Sequence, residues 1–387
     1  MRIALIIQHA NPSLGGAERY TADVARSLAH RGHDVELIAS TFSDDVPWEV
    51  RRVHLSAAGP TRLLKYMQFV RHVDDHVIGT PYDIVHAMLP VRRCNVYHPH
   101  AGIEAEMLAT AHLKHAGLRR KLATIGGRFN FKRHRVAAVE RELLTSSRPP
   151  LVLCLSGYVR QTVLKHYTLD ARHLATLHNG IDLKRFDPDA IEPSGEIRQR
   201  LGIGESKVAA LIVAQDFARK GVAEAIRAVG KIRDSRLVLI VVGRDNAGPY
   251  QKLVKEAGAN ERVFFAGAAS DPRPYYRESD FFVLPTRHDP CSLVVLEALV
   301  MGLPVISTRF NGSTELMGNE KHGFILDDPA DVDALAAAMK QMLDQPQRAL
   351  LARACLKLRP RLSYEHHLEQ LLQLYQTRVP VVDLAAR

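Results

Sequence analysis

The chain of 387 residues lacks any run of about twenty apolar residues, so no segment reads as a membrane span. Cysteine is scarce and scattered: Cys94, Cys154, Cys291 and Cys355 form no CxxC pair. That argues against a zinc site or a disulfide framework and fits a reducing cytoplasm. Aromatics are only 6% of the residues, without the basic–aromatic interleaving of a nucleic-acid stacking platform. No RNA- or DNA-binding module is legible, and there are no short repeats and no low-complexity segment. The opening, MRIALIIQHANPSLGG, has only Arg2 as a basic flank and no clear cleavage site. It reads as a first buried strand rather than a signal peptide.

What the sequence does have is alternation. The length favours two domains of ordinary size, and an apolar content of 46% can give each a core. IALIIQ is a continuous apolar run of the buried parallel-strand type. A Gly15-Gly16 loop, a helix from about Ala17 to His30 and the strand DVELIAS follow, with further strands at YDIVHAM and PLVLCLS. A second unit repeats the plan through strands VAALIVAQ, RLVLIVVG, RVFFAGA, DFFVLPT, LPVIST and GFILDD, with helical stretches between. This predicts an α/β protein of two doubly wound parallel sheets, whose ligands bind at the carboxyl ends of the strands. Turn signals in LHNGIDLKRFDPDA place the boundary at 185/186, giving domains 1–185 and 186–362. SYEHHLEQLLQLYQTRV has the spacing of a final amphipathic helix, within 363–387.

Charge is uneven. The net charge of +10 sits in residues 1–186, which hold 26 Lys+Arg against 16 Asp+Glu. It is densest from Lys114 to Arg141, where Arg119, Arg120, Lys121, Lys132 and Arg133 are met by one acid, Glu140. Such a run is either a solvated helix face or a surface for anionic lipid, phosphorylated glycan or nucleic acid.

Three stretches carry candidate chemistry. In HDPCSLVVLEA, Pro290 and Ser292 mark a helix start, so the amides near Cys291, Ser292 and Leu293 form an expected anion site. Asp289 precedes this helix and Glu297 lies well inside it. Carboxylates there would take sugar hydroxyls rather than phosphate. In DFARKG, Arg219 and Lys220 stand at a strand's carboxyl end, where two cations can clamp a diphosphate, and Gly221 permits close approach. Arg244, in VVGR, follows another strand end. In the N-terminal half, Gly15 and Gly16 offer amides to a phosphate or sugar. That half also holds 15 of the 19 histidines. His86 ends a strand, and His98 and His100 flank Pro99 in a loop; either of the latter could hydrogen-bond a transferred sugar. HxH with no nearby cysteine is a poor metal site. Each stretch taken singly also reads as an ordinary helix start, loop or charged surface.

In this order the motifs GGAER, NGID with Phe186, DFARKG, VVGR and HDPCSLVVLEALVMGLPVIST resemble the family 4 glycosyltransferases, across nearly the whole chain. Within that family QDFARKGV and LVVLEALVMGLPVIST look similar to bacterial lipopolysaccharide core glucosyltransferases. The resemblance implies a GT-B fold: two facing Rossmann-like domains, with the C-terminal helix crossing back to the first. It implies retaining transfer of a hexose, glucose from UDP-glucose, to a lipopolysaccharide-core or other anionic glycolipid, without metal or other cofactor. Glu297 would hold the ribose, and Arg219 and Lys220 the diphosphate, with Gly16 closing over it. Asp289 would orient the donor sugar, although the family usually has Glu there, and His100, with His98 the alternative, would stand near the reacting centre. The basic run, with Phe129 and Phe131 within it, fits an enzyme held peripherally on the cytoplasmic face of the inner membrane. Three rivals stand beside this reading: a nucleotide-sugar epimerase or hydrolase on the same fold, a basic nucleic-acid binder, and a glycan-binding protein without catalysis, against which the intact Arg219, Lys220 and Glu297 argue.

Overall fold

The computed structural model describes residues 1–46, 49–110 and 131–379. The chain divides into two compact units, Met1–His178 joined by the residues from Leu368 on, and Asn179–His367. The divisions thus fall at 178/179 and 367/368, where turn signals and helical spacing suggest 185/186 and 362/363.

The first unit is built on β1 (Arg2–Ile6), β2 (His9–Ala10), β3 (Asp34–Ala39), β4 (Thr41–Phe42), β5 (Arg51–His54), β6 (Ile84–Ala87), β7 (Val96–Tyr97), β8 (Leu151–Cys154) and β9 (Leu174–Thr176). Seven of them form one sheet in the order β5-β3-β1-β6-β7-β8-β9. Every pair is parallel, while β2 and β4 make a separate short pair. The apolar run of β1 has the cause expected of it: Ile3, Ala4, Leu5 and Ile6 are wholly buried between the faces of the sheet. The helix Gly16–His30 turns Tyr20, Val24, Ala25 and Leu28 inward at helical spacing. The helix Arg62–Ile78 and the short strands β5, β7 and β9 carry no expectation above. Thr61 caps that helix by accepting from the Leu64 amide at 3.2 Å. Its Tyr66 and Val70 pack on Val136 and Val139 of the helix Phe131–Leu144.

The last helix, Tyr364–Arg378, belongs to the first unit from Leu368 on. Its Tyr375 hydroxyl lies 2.6 Å from Nδ1 of the buried His86. Of the basic run, Arg119, Arg120 and Lys121 lie outside the described residues, as does Phe129. Lys132 and Arg133 sit half-buried in the first turn of the helix Phe131–Leu144. Phe131 beside them is 68% exposed. Among the described residues no helix is long and apolar enough to cross a membrane.

The second unit has β10 (Val208–Val213), β11 (Leu237–Val242), β12 (Val263–Gly267), β13 (Phe281–Leu284), β14 (Val305–Thr308) and β15 (Gly323–Leu326). They form a parallel sheet in the order β12-β11-β10-β13-β14-β15. The chain moves outward from β10 to β12, then returns to lay β13 on the other side of β10. The strand order therefore reverses between β10 and β13, and the carboxyl ends at such a reversal are where sheets of this kind bind ligands. The central strands are nearly all apolar and fully buried, each large side chain contributing roughly 1.5–3 kcal/mol. That leaves the polar residues of this region to the two exit loops.

Gly221 sets the spacing of those loops. It adopts φ +78°, and a Cβ there would come within 2.3 Å of the Pro285 carbonyl oxygen. Gly221→Ala is expected to lower unfolding free energy by roughly 2 kcal/mol or more. Urea denaturation measures it, and an unchanged midpoint would show that the loops relax freely.

Candidate functional site

The loop leaving β10 carries the first cations. Asp216 caps the short helix Phe217–Lys220 by accepting from the Arg219 amide at 3.0 Å. Its other carboxylate oxygen accepts from Arg219 Nε at 3.2 Å. The same guanidinium donates to the His288 carbonyl at 2.9 Å, tying the β10 loop to the loop leaving β13. Two more bonds run the other way: the Thr286 hydroxyl and the Arg287 amide both donate to the Arg219 carbonyl, at 3.1 and 3.0 Å. Arg287 in turn donates to Glu224 at 2.6 Å.

Lys220 and Asp289 meet across this junction. The ammonium donates to Asp289 Oδ2, and the two residues are 9% and 6% exposed. Burial is the largest single influence and pushes the Asp289 carboxyl up, but the charge and hydrogen bond of Lys220, with Arg219 and Ser292 adding to them, together hold the acid below its usual range. Burial lowers Lys220 from the ordinary lysine value, with Asp289 opposing. Removing one partner of such a buried pair costs about 3–5 kcal/mol. Asp289 is also fixed through its backbone. Its amide donates to the Phe310 carbonyl, and its carbonyl accepts from Gly312, both at 2.9 Å.

The helix Leu293–Val300 starts directly after. Cys291, Ser292 and Leu293 were expected to offer free amides, and for Ser292 this is corrected. Its amide points to Asn311 Oδ1 at 3.3 Å, because the buried Asn311 serves as acceptor for both Ser292 and Ser313. The helix start is thus held by a side chain on the neighbouring loop, and Leu293 is its first helical residue. Cys291 is buried, which pushes its thiol up to about 12; its carbonyl accepts from Asn179 at 3.1 Å. The Asn179 of the NGID motif therefore anchors this helix. Gly180 beside it is obligatory for space, since a Cβ would meet the Ser363 carbonyl at 2.8 Å.

Glu297 lies in the middle of that helix and accepts from the Tyr276 hydroxyl at 2.8 Å. Tyr276 is fully buried and packs against Phe186, ring centroids 6.4 Å apart. The structure thus brings Arg219, Lys220, Asp289, Cys291, Ser292, Leu293 and Glu297 to one corner of the second unit. Arg244 is exposed in the loop after β11, outside this bonded cluster. Asn311, Asn179, Thr286 and Tyr276 escape the sequence reading. Only Asn179 had a signal there, as part of NGID.

In the first unit, Gly15 is the residue before the helix Gly16–His30 and Gly16 its first residue. His98 is fully buried and His100 half-buried. Their rings are 4.2 Å apart, with Tyr20 4.2 Å from His100 and His86 stacked on His98 at 5.2 Å. Among the described residues no group of three or more His, Cys, Asp or Glu could hold a metal ion.

Residues 14–185 match the model of Glycosyltransferase Family 4, and residues 193–357 that of Glycosyl transferases group 1. The chain belongs to the family 4 glycosyltransferases. It is 25% identical over 335 residues to the lipopolysaccharide glucosyltransferase WaaG of Escherichia coli K12, covering 86% of this chain and 87% of that one. It is 26% identical over 383 residues to the mannosylfructose-phosphate synthase of Agrobacterium fabrum, covering 87% and 82%. Among solved structures, a WaaG crystal structure superposes with TM-score 0.80 at 23% identity, over 97% of this chain and all of that one. Anabaena HepE in complex with UDP-glucose gives TM-score 0.72 at 19% identity, over 97% and 100%. These likenesses carry the fold: two Rossmann-like units of the GT-B class.

Asn311→Ala leaves the buried Ser292 and Ser313 amides without their acceptor. It should destabilise this glycosyltransferase by about 1–3 kcal/mol per stranded donor. Thermal unfolding checks it; a melting temperature equal to the parent's would show that water replaces the side chain.

Proposed function

We propose that this glycosyltransferase is a retaining, metal-independent hexosyltransferase that moves glucose from UDP-glucose to a lipopolysaccharide-core or other anionic glycolipid. The observation that carries this reading is the meeting of Arg219, Lys220 and Asp289 at the strand-order reversal, beside a helix start. A diphosphate at that corner would find two cations and the positive end of a helix dipole, which together can neutralise a departing UDP. That is the work a metal ion performs elsewhere, and it supports a reaction without one. Glu297, held by Tyr276 with one oxygen, would accept ribose hydroxyls with its remaining acceptor capacity. Asp289 would accept hydroxyls of the donor sugar. The roles of Gly15, Gly16, Arg244 and His100, like retention itself, rest on the family resemblance.

Glucose is favoured by the glucosyltransferase WaaG and the UDP-glucose complex of HepE. A mannosyl donor is the second reading, since the relatives also include an MMP α-(1→4)-mannosyltransferase and a mannosylfructose-phosphate synthase. The basic, aromatic-tipped start of the helix Phe131–Leu144 supports a peripheral site on the cytoplasmic face of the inner membrane.

Release of nucleoside diphosphate from a panel of nucleotide sugars, with and without lipopolysaccharide-core acceptor, tests the reaction. UDP-glucose should give the strongest signal. Glu297→Ala should lower kcat/KM about tenfold to a thousandfold through lost hydrogen bonds to the charged carboxylate. A chain that binds no nucleotide would refute the reading, and preference for GDP-mannose would replace glucose with mannose.

The membrane assignment has its own test in vesicle co-sedimentation. Replacing Lys132 and Arg133 with Gln should weaken binding to anionic vesicles by roughly 1 kcal/mol per charge, or about thirtyfold together. Binding that ignores lipid charge would refute it.

A further inference from the structure

We propose that the Lys220–Asp289 ion pair is a latch that makes the free nucleoside diphosphate bind weakly and the sugar-bearing donor bind well. The inference rests on the nucleotide-sugar reading of this corner and adds to it a rule for telling donor from product.

The argument begins with who is free to move. Lys220 and Asp289 hold each other where their side chains are only 11% and 9% exposed. Neither backbone can retreat. The Lys220 amide donates to the Asp216 carbonyl at 3.0 Å, and Gly221 after it is wedged against Pro285. Asp289 is pinned between Phe310 and Gly312. Arg219 is already engaged by Asp216 and the His288 carbonyl. A diphosphate entering here meets the remaining donors of an Arg219 already held in place and the Lys220 ammonium, and the part that can move farthest is that long lysine side chain.

Drawing the ammonium away strips the buried Asp289 carboxylate of its main partner, leaving it the weaker influence of Arg219 and Ser292 and an incoming anion close by. Like charges in a poorly solvated site repel strongly, and an unpaired buried carboxylate is costly. Free UDP has nothing to offer that carboxylate. A donor sugar does, because its hydroxyls donate hydrogen bonds to it and restore the lost partner. The intact donor thus opens the latch with compensation and the product opens it without. After transfer, the departing sugar leaves Asp289 uncompensated. The ammonium returns to it, and UDP loses one of its two cations. The pair acts as a discriminator in binding and as a spring for product release.

Calorimetric titration of uridine, UDP and UDP-glucose into the parent and into Asp289→Asn tests this. Asparagine removes the competing charge at nearly constant shape, so UDP should bind about tenfold tighter to the variant. Uridine, which lacks phosphate, should bind both proteins equally. The advantage of UDP-glucose over UDP seen in the parent should shrink in the variant. UDP binding that is unchanged or weaker in a variant that still binds uridine normally would overturn the latch.

Because an unpaired Lys220 could unfold the variant, a second measurement uses the unaltered protein. In a crystal structure of its UDP complex, Lys220 Nζ and Asp289 should stand beyond ion-pair distance. A pair still closed with UDP bound would overturn the latch on its own. If the parent binds neither UDP, GDP nor ADP, the nucleotide-sugar reading itself falls and takes the latch with it. Failure of that reading is thereby distinguished from failure of the latch alone.

Discussion

A charged lysine is costly to bury unless an acid is buried with it, and the corner of the second unit at Lys220 is organised round that requirement. Lys220 comes from the loop after β10 and Asp289 from the loop after β13, in strands that are neighbours in space. Their pairing fixes the distance between two loops that the sheet merely brings close. Around it stand the Arg219 guanidinium on the His288 carbonyl and the Thr286 hydroxyl on the Arg219 carbonyl. Each group is satisfied by one from the opposite loop, so neither loop has its observed shape alone.

The sheets beneath supply rigidity rather than chemistry. Strands such as Leu237–Val242 are apolar throughout because both faces of a doubly wound sheet are covered. With few polar groups in the strands, most of those near the carboxyl ends fall to the strand tips and exit loops. Ser307 and Thr308, at the end of β14, donate back to the carbonyls of Leu284 and Thr286. Asn311 closes the next loop onto the helix start at Ser292. Three successive loops are thereby laced into one polar seam above an apolar floor. Such a seam is what a water-poor, preorganised binding corner needs.

Much of this was legible in the residues. The apolar runs predict the strands of the second unit nearly end to end, since buried parallel strands cannot hide their composition. DFARKG and HDPCSLVVLEA could be nominated because cations after one strand and acids round a helix start are unusual company. The first unit was harder. β7 has two residues and β9 three, too short for any period to register. The helix Arg62–Ile78 mixes charge through its apolar spacing. The engagement of the Ser292 amide is invisible along the chain, because its acceptor, Asn311, lies nineteen positions away and looks like a turn residue. A tyrosine in PRPYYRES gives no hint that the Tyr276 hydroxyl reaches Glu297.

The sequence by itself determined the α/β plan, the strands of the second sheet, the longer strands of the first and the chemical types available at their ends. These follow from local rules: apolar continuity, helical spacing, and the few residues that start or stop an element. Which of those residues meet was decided only by tertiary structure. The reversal of strand order sets β13 beside β10, and that adjacency turns an aspartate and a lysine 69 positions apart into one ion pair. It also decides that Asn179 holds the helix at Cys291 from 112 positions away. Contacts of this kind depend on where whole strands are laid in a sheet, and no window along the chain contains that information.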